Sequence, residues 1–286
     1  MQQFHELAHD STSGATELIQ RMLGIVESLV LAGQPGTIED GLAYLQNYQL
    51  SMPSLHAVVN TLQRDLLPLA RDPKKTTDAL EFIASLQQIL DDSEKAIARN
   101  FLNVLKEPVK VLTFSRSSTV VGALRNAHEA GKISHLYVLE SRPLLEGVKT
   151  VRDCALWGIP CTLAVDAAVG ELVQQVDCAI IGADGISSDS YLLNKTGTLP
   201  LAVCCREFDV PLYVLTDSLK FSPHQRDEIP LEEHPESEVI EKSRKDAFKV
   251  INVYFDWTPI SLVSRFITEN GIAAPDAIDK LISVES

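Results

Sequence analysis

Five short apolar runs in the second half of the chain each end on polar side chains that could hold an anion or move a proton. In order, the ends are Ser115-Arg116-Ser117-Ser118-Thr119, Glu140-Ser141-Arg142-Pro143, Asp166, Gly182-Ala183-Asp184-Gly185 and Thr216-Asp217-Ser218-Leu219-Lys220. The first places hydroxyls and an arginine directly before a helical pattern, where free backbone N–H groups favour an anion. The plainer reading of Ser117 or Ser118 is a helix cap. Arg142 offers a two-pronged fork to phosphate or carboxylate, or else an ordinary surface ion pair. Asp184, flanked by small residues, suits acid/base work, or is a turn residue bonded to its own backbone. Asn194-Lys195-Thr196-Gly197-Thr198 is expected to open a helix and to hold a second phosphate or orient the carboxylate. Lys220 adds a third cation to the same rim.

The elements that must position these groups are short and regular. VKVLTFS, HLYVLE, CTLAV, DCAIIG and PLYVLT read as strands, and helical patterns such as Ser118 to about Ala130 and EGVKTVRDCALWG separate them. That alternation predicts a parallel sheet with crossover helices. Runs apolar throughout predict strands covered on both faces. In such a sheet, ligands bind beyond the carboxyl ends of the strands, where the polar groups fall. Residues 1 to about 107 instead read as successive helices: SGATELIQRMLGIVESLVLAG ending at Gly33, TIEDGLAYLQNY with a Thr–Asp cap, PSLHAVVNTLQRDLLPLA with proline in its first turn, and a long one over roughly 74–105. The long helix carries Leu80, Phe82, Ile83, Leu86, Ile89 and Leu90 along one side. The predicted fold class is α/β, with a helical N-terminal domain (1–107) followed by an open, mostly parallel sheet domain (108–286). After the last run come an acidic, proline-rich loop (SPHQRDEIPLEEHPESE), then KVINVYFDWTP and two closing helical segments. FDWTPISLVSRF is too apolar for a free helix and is expected to be buried, partly in a dimer interface.

The formal charge of −14 opposes direct nucleic-acid binding and attraction to anionic lipid. No stretch approaches the roughly 20 apolar residues that span a bilayer. The start, MQQFHELAHD, lacks the basic flank and apolar run of a signal peptide, and the five cysteines lack zinc-ligand spacing. A cytoplasmic protein with reduced core thiols is therefore expected, with no metal and no cofactor. There is no G-x-G-x-x-G loop, Walker loop or G-x-S-x-G elbow. Cys204 and Cys205 fit packing better than nucleophilic chemistry, and His224 and His234 lack ligand spacing.

The series TFSRSSTV, ESRPLLEGV, GIPCTLAVDAAVG, IIGADGI, NKTGT and SLKF, ending in NVYFDWTPISLVSRFITENG, resembles one superfamily from about Val109 to Ile278. It holds the α/β/δ regulatory subunits of translation initiation factor 2B, their archaeal and bacterial relatives, and isomerases of methylthioribose 1-phosphate and ribose 1,5-bisphosphate. The resemblance implies a ligand cleft between the helical and Rossmann-like domains and a homodimer, or higher even oligomer, formed through the latter. It implies that the isomerases' aspartate is Asp184, while Ser115 stands where they carry a cysteine. It places Ser13-Gly14-Ala15 at a phosphate-gripping Arg-Gly-Ala motif, with Ser13 in the arginine's position, and matches Arg142, Asn194, Lys195 and Lys220 to ligand-contacting positions.

A thiol ionises near ~8.5, whereas a serine hydroxyl is a far poorer proton carrier without a neighbouring base. The phosphate frame thus survives better than the acid/base pair. The leading expectation is a regulatory-type protein binding a sugar phosphate or nucleotide monophosphate across Ser115, Arg116, Ser117, Ser118, Thr119, Arg142, Asp184, Asn194, Lys195 and Lys220. The alternative is an aldose 1-phosphate isomerase, with Asp184 as acid/base and Ser115 orienting a hydroxyl or water. A third is an assembly subunit with no ligand.

Overall fold

The computed structural model describes residues 1–10, 13–48, 51–241 and 247–277. The chain opens with helices α1 (Gln2–Ala8), α2 (Ala15–Leu31), α3 (Pro35–Leu45), α4 (Pro53–Thr61), α5 (Leu67–Ala70) and α6 (Thr76–Val104), a π-turn at Leu62–Leu66 running α4 into α5. Apolar residues at three and four spacing turn one face of each inward. Phe4, Leu18, Met22, Leu42, Leu55 and Ile83 pack into one fully buried cluster. α3 starts two residues before the expected Thr37, because Pro35 pre-sets the helical φ in the first turn. α6 buries Ala79, Ile83 and Leu90, but Ile89 is 55% exposed. Six residues past Ile83, it has rotated off the core stripe.

The remaining elements are β1 (Val109–Phe114), α7 (Ser118–Glu129), β2 (Ile133–Leu139), α8 (Glu146–Leu156), β3 (Cys161–Ala164), α9 (Val169–Val173), β4 (Cys178–Ile181), β5 (Gly185–Ile186), β6 (Tyr191–Lys195), α10 (Thr198–Glu207), β7 (Leu212–Leu215), β8 (Phe255–Pro259), β9 (Arg265–Thr268) and β10 (Gly271–Ala273). Seven strands form one sheet in the order β10-β9-β7-β4-β1-β2-β3, parallel except for the β9–β10 hairpin. All five expected strands are in it. The chain runs outward from β1 through β2 to β3 and then returns to β4 on the other side of β1. The strand order therefore reverses between β1 and β4, which opens a crevice at their carboxyl ends.

Three expectations are corrected. β3 is an edge strand with Leu163 42% exposed, so only the inner strands are covered on both faces. Asn194 and Lys195 do not open a helix. They end β6, part of a small antiparallel sheet β5-β6-β8, and α10 begins three residues later. The first closing helical segment is instead β8, a 3₁₀ turn (Ile260–Leu262) and the β9–β10 hairpin, which reverses over Glu269-Asn270 and resumes at Gly271, whose φ of 133° favours glycine. Ile260, Val263 and Phe266 of this stretch are buried by the chain's own core. The rest of the closing segment, from residue 278, lies outside the described residues. No helix among the described residues is long and apolar enough to cross a membrane.

α6 joins the two halves. Its first turns belong to the helical cluster, while Ile97, Ala98 and Phe101 pack with Val120, Leu124 and Ala127 of α7 against the sheet. All five cysteines are free, and burial pushes the thiols of Cys154, Cys178 and Cys205 up to about 12, so they stay protonated.

Candidate functional site

The crevice between β1 and β4 opens into two adjoining chambers that share Gly14, Ser115, Arg116 and Asp184. The inner one has about 40 Å³ of free space, room for about three water molecules. The starts of α7 and α2 both reach it, through Ser117–Thr119 and Gly14–Thr16. Two sets of first-turn N–H groups, which have no partner inside their helices, therefore converge on one small space. Ser117 is the cap of α7, its Oγ accepting from the Val120 N–H (3.4 Å). The cap occupies only one donor of the turn and leaves the other first-turn N–H groups available to an anion. Lys220, 4% exposed, adds a buried cation at the same wall. Gly182 is needed for closeness: a Cβ there would lie 2.7 Å from Ser117 Oγ.

Ser115 adopts the left-handed region (φ 64°) at the end of β1. Its N–H donates to Ser141 Oγ (2.7 Å), and its carbonyl accepts from Thr150 Oγ1 (2.9 Å). Asp166 in turn accepts from the N–H groups of Ser141 and Arg142, each at 2.7 Å. Three consecutive strand ends are thus tied into one scaffold that holds a strained serine beside Asp184.

Asp184 is half-buried by area, but protein surrounds it because its open surface faces the chambers. Burial pushes its carboxyl up from the ordinary range, Lys220 and Lys195 pull it back, and Glu146 adds to the rise. Its N–H donates to the Leu193 carbonyl (2.9 Å), pinning the β4 loop to β6. Lys195 Nζ pairs with Glu146 Oε1 and sits 4.5 Å above the Tyr254 ring. Glu146 Oε2 has no hydrogen-bond partner among the described residues. Asn194 is buried and donates to Thr198 Oγ1 (2.9 Å) at the inner wall.

The outer chamber holds about 440 Å³ and is walled by residues of the N-terminal part, among them His9, Asp10 and Tyr48, on one side and by Glu232, Glu233, His234, Glu238 and Tyr254 on the other. His234 stacks on Tyr254 with ring centres 3.4 Å apart, and Tyr254 O–H donates to Glu238 (2.6 Å). Burial lowers the His234 pKa, with Glu232 and Glu238 opposing. Across the chamber, Tyr48 packs beside His9, and Ser13 donates through its N–H and Oγ to Asp10, which also pairs with Arg21.

The crevice gathers Ser13, Gly14, Ala15, Ser115, Arg116, Ser117, Ser118, Thr119, Asp184, Asn194, Lys195 and Lys220. Arg142 lines neither chamber. Its Nη2 donates to the Val239 carbonyl (2.7 Å) instead. Arg116 lines both chambers but is engaged by Glu17 of α2 (3.3 Å) and Asp153 of α8 (3.2 Å), bridging the cleft walls. Glu146, Tyr254, His234 and Asp10 were not legible as site residues. Glu146 reads as an ordinary first-turn acid of a helix, and the aromatics carry no motif.

The initiation factor 2 subunit family model matches residues 6–275. The chain belongs to that family. It is 30% identical to methylthioribose-1-phosphate isomerase of Desulforamulus reducens, over 90% of this chain and 82% of that protein. It is 37% identical to ribose 1,5-bisphosphate isomerase of Archaeoglobus fulgidus over 60% of this chain, a match spanning only 56% of the A. fulgidus protein. The crystal structure of a Pyrococcus horikoshii translation initiation factor eIF-2B superposes with a TM-score of 0.80, at 26% identity over 96% of both chains.

Proposed function

We propose that this chain binds a phosphorylated sugar, or a nucleotide monophosphate, in the two-chamber cleft as a regulatory-type member of the initiation factor 2B family. The phosphate takes the inner chamber and the remainder of the ligand reaches past Asp184 into the outer one. The carrying observation is the meeting of two helix starts and the buried Lys220 at a space the size of one tetrahedral anion. Residues 1–107 supply the outer wall, and 108–286 the platform and the contact of an even-numbered oligomer. The setting is cytoplasmic. Calorimetry with a panel of sugar phosphates tests the reading. Binding lost on Lys220→Met supports it, and silence across the panel ends it.

A second reading, aldose 1-phosphate isomerase, draws on the enclosed Asp184, whose carboxyl burial raises above the ordinary range, the direction that suits a group taking up and returning a proton. Relatives at 30% and 37% identity are isomerases of such sugars. Ser115 would orient a hydroxyl or water. Carbon NMR with methylthioribose 1-phosphate, run beside Asp184→Asn, decides it: ketose formed by the native protein and not by the variant establishes the activity.

A further inference from the structure

We infer that the outer chamber selects a monophosphorylated ligand whose far end is uncharged and rich in hydroxyl or N–H donors, and that it rejects a second phosphate. The inference rests on the phosphate-binding reading above and specifies the ligand of the same site.

The charge around the chamber is one-sided. Six carboxylates line it: Asp10, Glu146, Asp184, Glu232, Glu233 and Glu238. Among the described residues only two permanent cations line it, Arg116 and Lys195, and each is already held by acids, Arg116 by Glu17 and Asp153 and Lys195 by Glu146. Asp10 is paired with Arg21 and Glu146 with Lys195, yet a dianion entering the chamber still meets an excess of carboxylates over cations among the described residues. The two histidines on the walls, His9 and His234, do not change the sign. The inner chamber is balanced instead: Arg116 and Lys220 match Asp184 and Asp217 there, and two helix starts add N–H donors, so a phosphate is favoured at that end over the outer one.

An independent observation points to what the outer chamber takes. Glu146 is 5% exposed and lines the chamber, and its Oε2 has no partner among the described residues. A buried carboxylate oxygen without a donor is costly unless a ligand supplies one. A sugar hydroxyl does so, and the oxygen of a fully ionised phosphate does not. Tyr48, half-buried on the chamber wall, provides an aromatic surface against which a neutral sugar or ring packs.

The matched probes are ribose 1-phosphate and ribose 1,5-bisphosphate, which differ only by the second phosphate, titrated by calorimetry at pH 7.5 and fixed salt. The monophosphate is expected to bind at least about tenfold more tightly. In the double variant Glu232→Gln/Glu233→Gln, checked for a native thermal transition, the affinity ratio between the two sugars is expected to narrow by at least about threefold as the bisphosphate gains. A bisphosphate that binds native protein as tightly as the monophosphate, or a ratio the double variant leaves unmoved, overturns the inference while leaving the phosphate site standing. Binding of neither sugar removes the phosphate-site reading and this inference with it.

Discussion

Lys195 and Glu146 form an ion pair sealed inside the cleft, their side chains 7% and 6% exposed, with one carboxylate oxygen left over. Taking two charges out of water costs several kcal/mol apiece, and only close mutual geometry offsets that. Deleting one member strands the other. Glu146→Ala is expected to lower the unfolding free energy by about 3–5 kcal/mol. The double variant Glu146→Leu/Lys195→Met is expected to cost far less than the sum of its single changes. Urea unfolding of the four proteins in this cycle checks both statements.

The pH dependence of Asp184 has a definite sign. Its carboxyl is raised in the fold, chiefly by burial, so the folded state holds its proton more tightly than the unfolded chain does. The associated stability is present below the unfolded pKa of about 4 and is lost as pH rises through the folded value. Asp184→Asn keeps the neutral form at every pH. The ligand-free variant is therefore expected to be more stable than the native protein at pH 7, with the gap closing toward pH 4. Thermal melts across that range measure it, and a gap that widened on acidification would contradict the assignment.

Lys220→Met is expected to weaken phosphate binding by roughly ten- to a hundredfold, the range for a charge-assisted contact in a buried setting. Inorganic phosphate is the probe, because it reports on the inner chamber without the rest of the ligand. Arg142→Ala, by contrast, is expected to change that affinity by less than about twofold, since Arg142 reaches the Val239 carbonyl and neither chamber.

Gly182→Ala tests how tightly the inner chamber is built. The added methyl would meet Ser117 Oγ and Cβ at 2.7 and 2.8 Å, pushing the α7 cap outward. About 1–3 kcal/mol of destabilisation is expected, with a loss of phosphate affinity larger than the change in melting point accounts for.

The inner parallel strands were readable because strands covered on both faces must be continuously apolar, and DCAIIG and PLYVLT are. β5 and β6 were not, because two- and five-residue strands in a small antiparallel sheet leave no periodic trace. The β9–β10 hairpin carried a legible signal in Asn270-Gly271, overridden by the apolar run before it. The inner end of the cleft was legible for a similar reason: the strand-end rule fixes where Ser115 to Thr119, Asp184 and Lys220 meet. The outer chamber was not, since Asp10, Glu146 and His234 meet only through tertiary packing between segments more than 80 residues apart. Arg142 marks the limit of the rule. It stands at the right strand end, but the loop past β2 turns its guanidinium away.

α6 has a consequence for how this architecture can vary in evolution. Because one 29-residue helix contributes its first turns to the helical cluster and its last to the sheet's outer face, neither half can be exchanged as a cassette. A recombinant lacking the helix would leave the α7 face of Val120, Leu124 and Ala127 open to water. Any exchange of either half must therefore preserve both faces of this helix, which holds the two walls of the cleft in register.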